Sequence, residues 1–117
     1  MKISSYKSGV DAEEICTKFL SEKKFAITAT RYKTKDGEVD IIAQNKTTLI
    51  FVEVKKRKNF GFDDPISTKQ KKRIANAALQ YISENPEISN LDMRFDSIFV
   101  DSQNQLTHIE DAWRLNI

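Results

Sequence analysis

Asp40 lies in the segment Gly37-Glu38-Val39-Asp40-Ile41-Ile42-Ala43, and Glu53 and Lys55 lie two positions apart in Phe51-Val52-Glu53-Val54-Lys55. Both segments read as strands, separated by a polar four-residue loop at 45–48. That loop sets Gln44 opposite Leu49. Continuing the register pairs Ala43 with Ile50, Ile42 with Phe51, Ile41 with Val52, Asp40 with Glu53, Val39 with Val54 and Glu38 with Lys55. One face is then wholly apolar, made of Val39, Ile41, Ala43, Ile50, Val52 and Val54. The other is mostly apolar near the loop and carries Glu38, Asp40, Glu53 and Lys55 at its far end. Opposed residues have Cβ atoms about 4.5–5.5 Å apart. Asp40 and Glu53 therefore repel unless a cation, the neighbouring lysine or solvent offsets them.

Two facing carboxylates suit a hard divalent cation. Mg²⁺ takes oxygen ligands at about 2.0–2.1 Å and keeps several waters. Lys55, on the same face, can reach a phosphate or water held there. Such a unit acidifies water, polarises a phosphoryl oxygen and neutralises developing charge. The same Glu-x-Lys alternation is also the ordinary pattern of a salt-bridged solvent face. Phe51 and Leu49 on that face weigh against full exposure. The repulsion predicts that Asp40→Asn is neutral or stabilising without metal.

Other reactive residues are sparse. Glu13 and Glu14 fall on the first helix, and Glu13, three residues before Cys16, can point at the sheet. Cys16 is the only cysteine and reads as core packing; one cysteine forms no internal disulfide. His108 is the only histidine and reads as structural or exposed; one His and one Cys make no zinc site. Phe60-Gly61-Phe62 either plugs the core or stacks on bases, with the plug favoured. There is no glycine-rich phosphate loop and no Ser-His-Asp arrangement.

The elements that must position Asp40, Glu53 and Lys55 follow from periodicity. Residues 8–23 read as a helix with Ala12, Ile15, Cys16, Phe19 and Leu20 on one stripe. Residues 25–33 read as a strand, Lys35-Asp36-Gly37 as a hairpin turn, and 38–44 and 49–56 as the next two strands. Residues 59–65 form a loop. Ser67 or Thr68 caps a helix running to about Glu84, with Ile74, Ala77, Ala78, Tyr81 and Ile82 as its stripe, and Asn85-Pro86 ends it. Residues 93–100 form a strand and 106–113 a short last strand. The expectation is an α/β fold of order α-β-β-β-α-β-β. One helix packs on the apolar face of the central hairpin, the other covers Ile42, Phe51 and Leu49, and the acidic end stays open.

With 117 residues, 39% hydrophobic and 31% charged, the chain holds apolar material for one core, so 1–117 reads as a single domain. Its longest apolar run, 49–52, is far short of a membrane span, and residues 1–9 lack the apolar core of a secretory signal. The cytoplasm is the expected location. Charge is uneven. Residues 46–73 hold nine Lys/Arg and three acids, a net of +6 against +2 for the whole chain, leaving −4 elsewhere. That basic middle is either a polyanion-binding face or two solvated lysine-rich surfaces.

Gly9-x-x-Ala12-Glu13, the segment 37–43, Phe51-Val52-Glu53-Val54-Lys55-Lys56-Arg57, Phe60-Gly61, Arg94-Phe95-Asp96 and His108-Ile109-x-x-Ala112 together resemble the YraN-like family of small bacterial proteins. The resemblance spans about Gly9 to Trp113, and its central pair of motifs is specific. It implies a restriction-endonuclease-like, PD-(D/E)xK fold, a mixed β-sheet flanked by two helices, similar to Holliday-junction resolvases. Asp40 matches the motif aspartate, and Glu53 and Lys55 the (D/E)xK pair. Glu13 matches the helix-borne acid that resolvase-like members add to the metal site. Two departures concern substrate contacts. Arg31 stands where the family usually has Asn, and the Lys69–Arg73 run matches only within a residue or two.

These readings lead to a Mg²⁺- or Mn²⁺-dependent nucleic-acid phosphodiesterase, acting on DNA and including branched DNA. Asp40, Glu53 and Glu13 would hold metal, and Lys55 would position water. Lys56, Arg57, Lys58, Lys69, Lys71, Lys72 and Arg73 would bind backbone phosphates. The alternatives are a nucleic-acid-binding module with little or no cleavage, and an adaptor using the basic surface on an acidic protein. Resolvase-like relatives act as dimers; this sequence shows no heptad or apolar patch that would build one.

Overall fold

The computed structural model describes residues 5–57 and 66–114. Lys58 and the Phe60-Gly61-Phe62 segment lie outside the described residues. The elements run α1 (Ser5–Glu22), β1 (Ala26–Thr34), β2 (Gly37–Gln44), β3 (Thr48–Arg57), α2 (Thr68–Glu84), a 3₁₀ turn at Pro86–Ile88, β4 (Asp92–Asp101) and β5 (Leu106–Trp113). This is the expected order, with ends shifted by three residues at most.

The five strands form one mixed sheet in sequence order, β1-β2-β3-β4-β5. Neighbours are antiparallel except β3 and β4, which run parallel because α2 carries the chain back across the sheet between them. Ser67 caps α2 as read from the sequence: its side chain accepts from the Gln70 amide at 3.1 Å. In the β2–β3 turn, the Asn45 side chain accepts from the amides of Thr47 and Thr48, each at 2.9 Å.

Each face of the sheet is covered by one helix, as expected. Ala12, Cys16 and Leu20 of α1 pack on Ile41, Ala43, Ile50, Val52, Ile98 and Val100. Ile74, Ala77 and Ala78 of α2 pack on Ile42, Leu49, Phe51 and Phe95, with Trp113 stacked on Phe95 at 4.1 Å between ring centroids. Among the described residues no helix is long and apolar enough to cross a membrane.

Val39 departs from the expected alternation. It packs with the α2 cluster, whereas Ile41 packs under α1. The two-residue period therefore breaks around Asp40. The paired neighbour strand is irregular there too: Arg31, between the Thr30–Ile41 and Tyr32–Val39 pairs, has φ 50°. The start of β2 rests directly on α2. A Cβ on Gly37 would lie 1.8 Å from the Arg73 carbonyl oxygen, so only glycine permits this approach.

Candidate functional site

The central hairpin keeps the expected register through four pairs, Gln44–Leu49, Ala43–Ile50, Ile42–Phe51 and Ile41–Val52. There the ladder ends. The Val54 amide donates instead to Asp40 Oδ2 at 2.8 Å, so the aspartate side chain takes over a backbone group that a continued ladder would have paired. Asp40 and Glu53 nevertheless meet, close enough for the Asp40 carboxyl to act directly on that of Glu53. The Glu38–Lys55 pair does not form. Glu38 approaches Arg73 at 3.5 Å, and Lys55 Nζ donates to Gln70 Oε1 at 3.2 Å.

The acidic end was expected to be open; Glu38 is exposed and Asp40 half-buried, but Glu53 is covered. Glu53 is only 9% exposed, because the first turn of α2 lies over it and Gln70 Nε2 donates to Glu53 Oε2. Burial, followed by the Asp40 charge and the Asp40 hydrogen bond, pushes the Glu53 carboxyl up to about 8, with Lys55 opposing. Near neutrality the pair thus holds a proton. This answers the repulsion read from the sequence in a way that the reading left out: the two groups share a hydrogen rather than face each other as two anions.

Glu13 is not gathered into this pair. Its Oε1 accepts from Arg31 Nε at 2.9 Å, an ion pair between α1 and β1. Among the described residues no three His, Cys, Asp or Glu side chains come together as a metal-holding group. Cys16 is fully buried. Its thiol is pushed up to about 12 by burial, then by the charges of Asp40 and Glu13, which makes it inert packing.

The basic residues cluster at the same end. Lys69, Lys71, Lys72 and Arg73 fall in or next to the first turn of α2, which carries no acid. Cations there oppose the helix dipole. Lys71 lies over the Trp113 ring at 5.9 Å from its centroid. Lys56 is exposed near the end of β3, and Arg57 closes that strand.

Gln70 was missed. It bridges Glu53 and Lys55, and a signal for it existed: carrying the stripe Ile74, Ala77, Ala78 back one helical turn lands on Gln70, a neutral polar residue among lysines. Asp96 was also missed as a buried acid. It is completely buried and accepts from Arg94 Nε at 3.0 Å, Arg94 Nη2 at 2.9 Å, the Asp111 amide at 2.9 Å and His108 Nε2 at 2.8 Å. Burial works to raise its pKa, but the bonds from His108, Arg94 and Asp111 outweigh it and hold the carboxyl low. The Lys23 ammonium sits 3.2 Å from His108 Nδ1 and can only donate, so Nε2 carries the ring hydrogen that meets Asp96. His108 is thus the structural residue expected.

A five-stranded mixed sheet that brings the Asp40 and Glu53 carboxyls, a strand lysine and a basic helix start to one end makes this a small mixed α/β protein. Residues 12–100 match the family described as "Uncharacterised protein family UPF0102", and the chain belongs to it, in line with the YraN-like resemblance. A UPF0102 protein of Nitrobacter winogradskyi is 33% identical over 116 residues, covering 97% of each chain. One from Bradyrhizobium diazoefficiens is 31% identical over 115 residues, covering 96% of this chain and 85% of the relative. One from Rhodopseudomonas palustris is 33% identical over 115 residues, covering 96% and 87%.

Proposed function

We propose that this protein is a divalent-metal-dependent phosphodiesterase acting on nucleic acid, with DNA, including branched DNA, as the substrate class. The observation that carries the reading is the Asp40–Glu53 pair bridged through Gln70 to Lys55, under the basic start of α2. The donor set fits Mg²⁺ or Mn²⁺. Both side chains offer hard oxygens, and their shared proton occupies a place that a cation takes when the proton leaves. Asp40 and Glu53 would hold the ion, which when bound supplies charge neutralisation at the phosphoryl group under attack.

The remaining work falls to the chain's own residues. Gln70 orients the Glu53 carboxyl through one amide end and the Lys55 ammonium through the other. Lys55, so fixed, positions an attacking water or stabilises charge on the phosphate oxygens. Lys69, Lys71, Lys72 and Arg73, with Lys56, Arg57 and Lys58, supply backbone-phosphate contacts. Binding should therefore weaken as salt rises. Basic residues placed against the helix dipole support this reading, since an anionic partner offsets a cost that the isolated helix bears.

The test is cleavage of labelled single-stranded, duplex and four-way DNA with Mg²⁺ or Mn²⁺, by wild type, Asp40→Ala and Lys55→Ala. Metal-dependent cleavage lost in both variants is the expected result. Cleavage that survives Asp40→Ala, or that needs no metal, refutes it.

A second reading, a nucleic-acid binder without cleavage, is favoured by one observation. Glu13, the third acid of the expected metal set, is paired with Arg31. Titration with Mn²⁺ that gives no heat, alongside retained salt-sensitive DNA binding, selects that reading.

A further inference from the structure

Beside the acidic pair the sheet continues through β4 and β5. A cavity of about 510 Å³ lies between the start of β4 and the end of β5, a size that admits a small organic ligand. β5 is irregular there: Asp111 has φ 54°, and the β4–β5 register shifts between Phe95 and Ser97. Part of the wall is apolar. Phe95 and Trp113 line it as a stacked pair, and Met93, one of three large apolar side chains exposed among the described residues, lies beside them. The rest carries both signs of charge in equal number, from Asp92 and Asp111 and from Arg94 and Arg114. Arg94 is held by Asp96, and Arg114 by Asp111. The Asp92 carboxylate makes no hydrogen bond or ion pair among the described residues. Trp113 is 8% exposed, and its Nε1 is a buried donor with no acceptor among the described residues. Folded proteins seldom leave such a donor unpaired.

The cavity adjoins the acidic pair. Phe51, Phe95 and Trp113 stand side by side on β3, β4 and β5, and Glu53 is two residues beyond Phe51. With strands about 4.8 Å apart and residues about 3.3 Å apart, the Trp113 and Glu53 backbones are about 12 Å from each other. The start of α2 joins the two places: Gln70 donates to Glu53, and the next residue, Lys71, lies over the Trp113 ring.

We propose that this cavity receives an unpaired base of a nucleic-acid strand engaged at the acidic pair. The inference rests on the reading of nucleic acid as the substrate and narrows that class to strands with a base free of its partner. Balanced charge makes the cavity a poor trap for a simple anion or cation. A base is neutral and flat, and its edge carries donors and acceptors together. Met93 offers a polarisable thioether to the ring. The Asp92 carboxylate accepts from ring or exocyclic N–H groups, and guanidinium N–H groups donate to carbonyl oxygens or ring nitrogens. The phosphate attached to the base falls to Lys71 at the rim. A base stacked in a duplex must leave the helix to reach the cavity, which costs least where it is already unpaired.

The test uses the complete protein in EDTA, so that no cleavage intervenes. Three labelled DNA duplexes are compared by fluorescence anisotropy: intact, with a one-base bulge, and with an abasic bulge of the same backbone. The proteins are wild type, Asp40→Ala, Met93→Ala and Asp92→Ala. Met93 and Asp92 are exposed, so their truncation leaves the fold in place. Wild type and Asp40→Ala should bind the base bulge roughly tenfold more tightly than either other duplex, the gain expected of one stacked base. Met93→Ala and Asp92→Ala should each lose most of that ratio, and Met93→Ala should bind the intact duplex as wild type does. The emission of Trp113, the only tryptophan, should change with the base bulge and not with the abasic one.

Equal affinity for the base and abasic bulges overturns the proposal, since the protein then follows the bend and not the base. A preference that survives in both cavity variants overturns it as well, because the base then binds elsewhere. Guanosine monophosphate that shifts the Trp113 emission as strongly as the bulged duplex, at equal concentration, assigns the cavity to free nucleotides and also overturns it. These failures leave the nucleic-acid reading standing as long as the intact duplex binds in a salt-sensitive way. If none of the three duplexes binds, that reading fails and this inference falls with it.

Discussion

Glu53→Gln replaces a carboxyl that the fold holds protonated with its neutral isostere. Gln accepts from Gln70 through its oxygen and donates to Asp40 through its nitrogen, so both bonds of Glu53 survive. What changes is the proton. The ordinary value is 4.5 and the folded one about 8, so between these pH values folding takes up a proton that the unfolded chain does not hold. A raised folded-state pKa contributes stability that is complete below about 4.5 and is lost as pH rises toward 8. The loss runs at about 1.4 kcal/mol per pH unit. Wild type thus gives up on the order of 3 kcal/mol by pH 7, and less than about 1 kcal/mol at pH 5. Glu53→Gln has no such group. It should exceed wild type by about that 3 kcal/mol at pH 7, a melting shift on the order of 10 °C, and match it near pH 4.5. Urea unfolding of both proteins in EDTA at pH 5, 6, 7 and 8 reads the difference. A stability gap that does not change with pH, or a less stable Gln protein at pH 8, would show Glu53 ionised against Lys55 and would refute the shared proton.

Three further outcomes are expected. Gly37→Ala puts a methyl 1.8 Å from the Arg73 carbonyl oxygen and forces α2 off the hairpin, costing at least about 2 kcal/mol by denaturant unfolding. Asp96→Asn turns an amide N–H toward donors from Arg94, His108 and Asp111; it should cost about 3–5 kcal/mol at pH 7, and retention of the wild-type unfolding midpoint would contradict the network. Gln70→Leu removes the bridge between Glu53 and Lys55; DNA binding measured by anisotropy should persist at low salt while the proposed cleavage falls, and the fold should lose about 1–3 kcal/mol.

The order of elements was legible because each signal is local. The α2 cap at Ser67, its end before Pro86 and the alternating strands need only a few neighbouring residues to be read. The first four pairs of the central hairpin followed from its short loop for the same reason. Extending the register blindly past Ile41–Val52 failed, because the Asp40 carboxylate competes for the Val54 amide and the alternation breaks there, turning Val39 toward α2. Pattern reading treats side chains as apolar or polar and does not see one of them replace a backbone acceptor. The cover over Glu53 lay beyond reach for a different reason: it depends on where α2 lands, and Gln70 is 17 positions away. Asp96 was readable in part, since it shares a strand face with Ile98 and Val100 and so marked a buried acid in need of donors. Arg94 was visible two positions away; His108 and the Asp111 amide were not.

The parallel pairing of β3 with β4 also has a kinetic meaning. Thr48 meets Asp92, 44 positions later, whereas the β1-β2-β3 meander closes through short turns. Loop closure makes the distant pairing slow, so the meander is expected to form first and the α2 crossover to dock afterwards. In that early unit Glu53 is still in water, without the cover that Gln70 gives it in the folded protein. Proton uptake is expected when Gln70 arrives with the helix and buries Glu53. On this order, docking of α2 and protonation of Glu53 are expected to be coupled, and alkali to oppose both. Stopped-flow refolding followed through the fluorescence of Trp113 is therefore expected to run faster at pH 6 than at pH 8 in wild type, and at equal rates in Glu53→Gln.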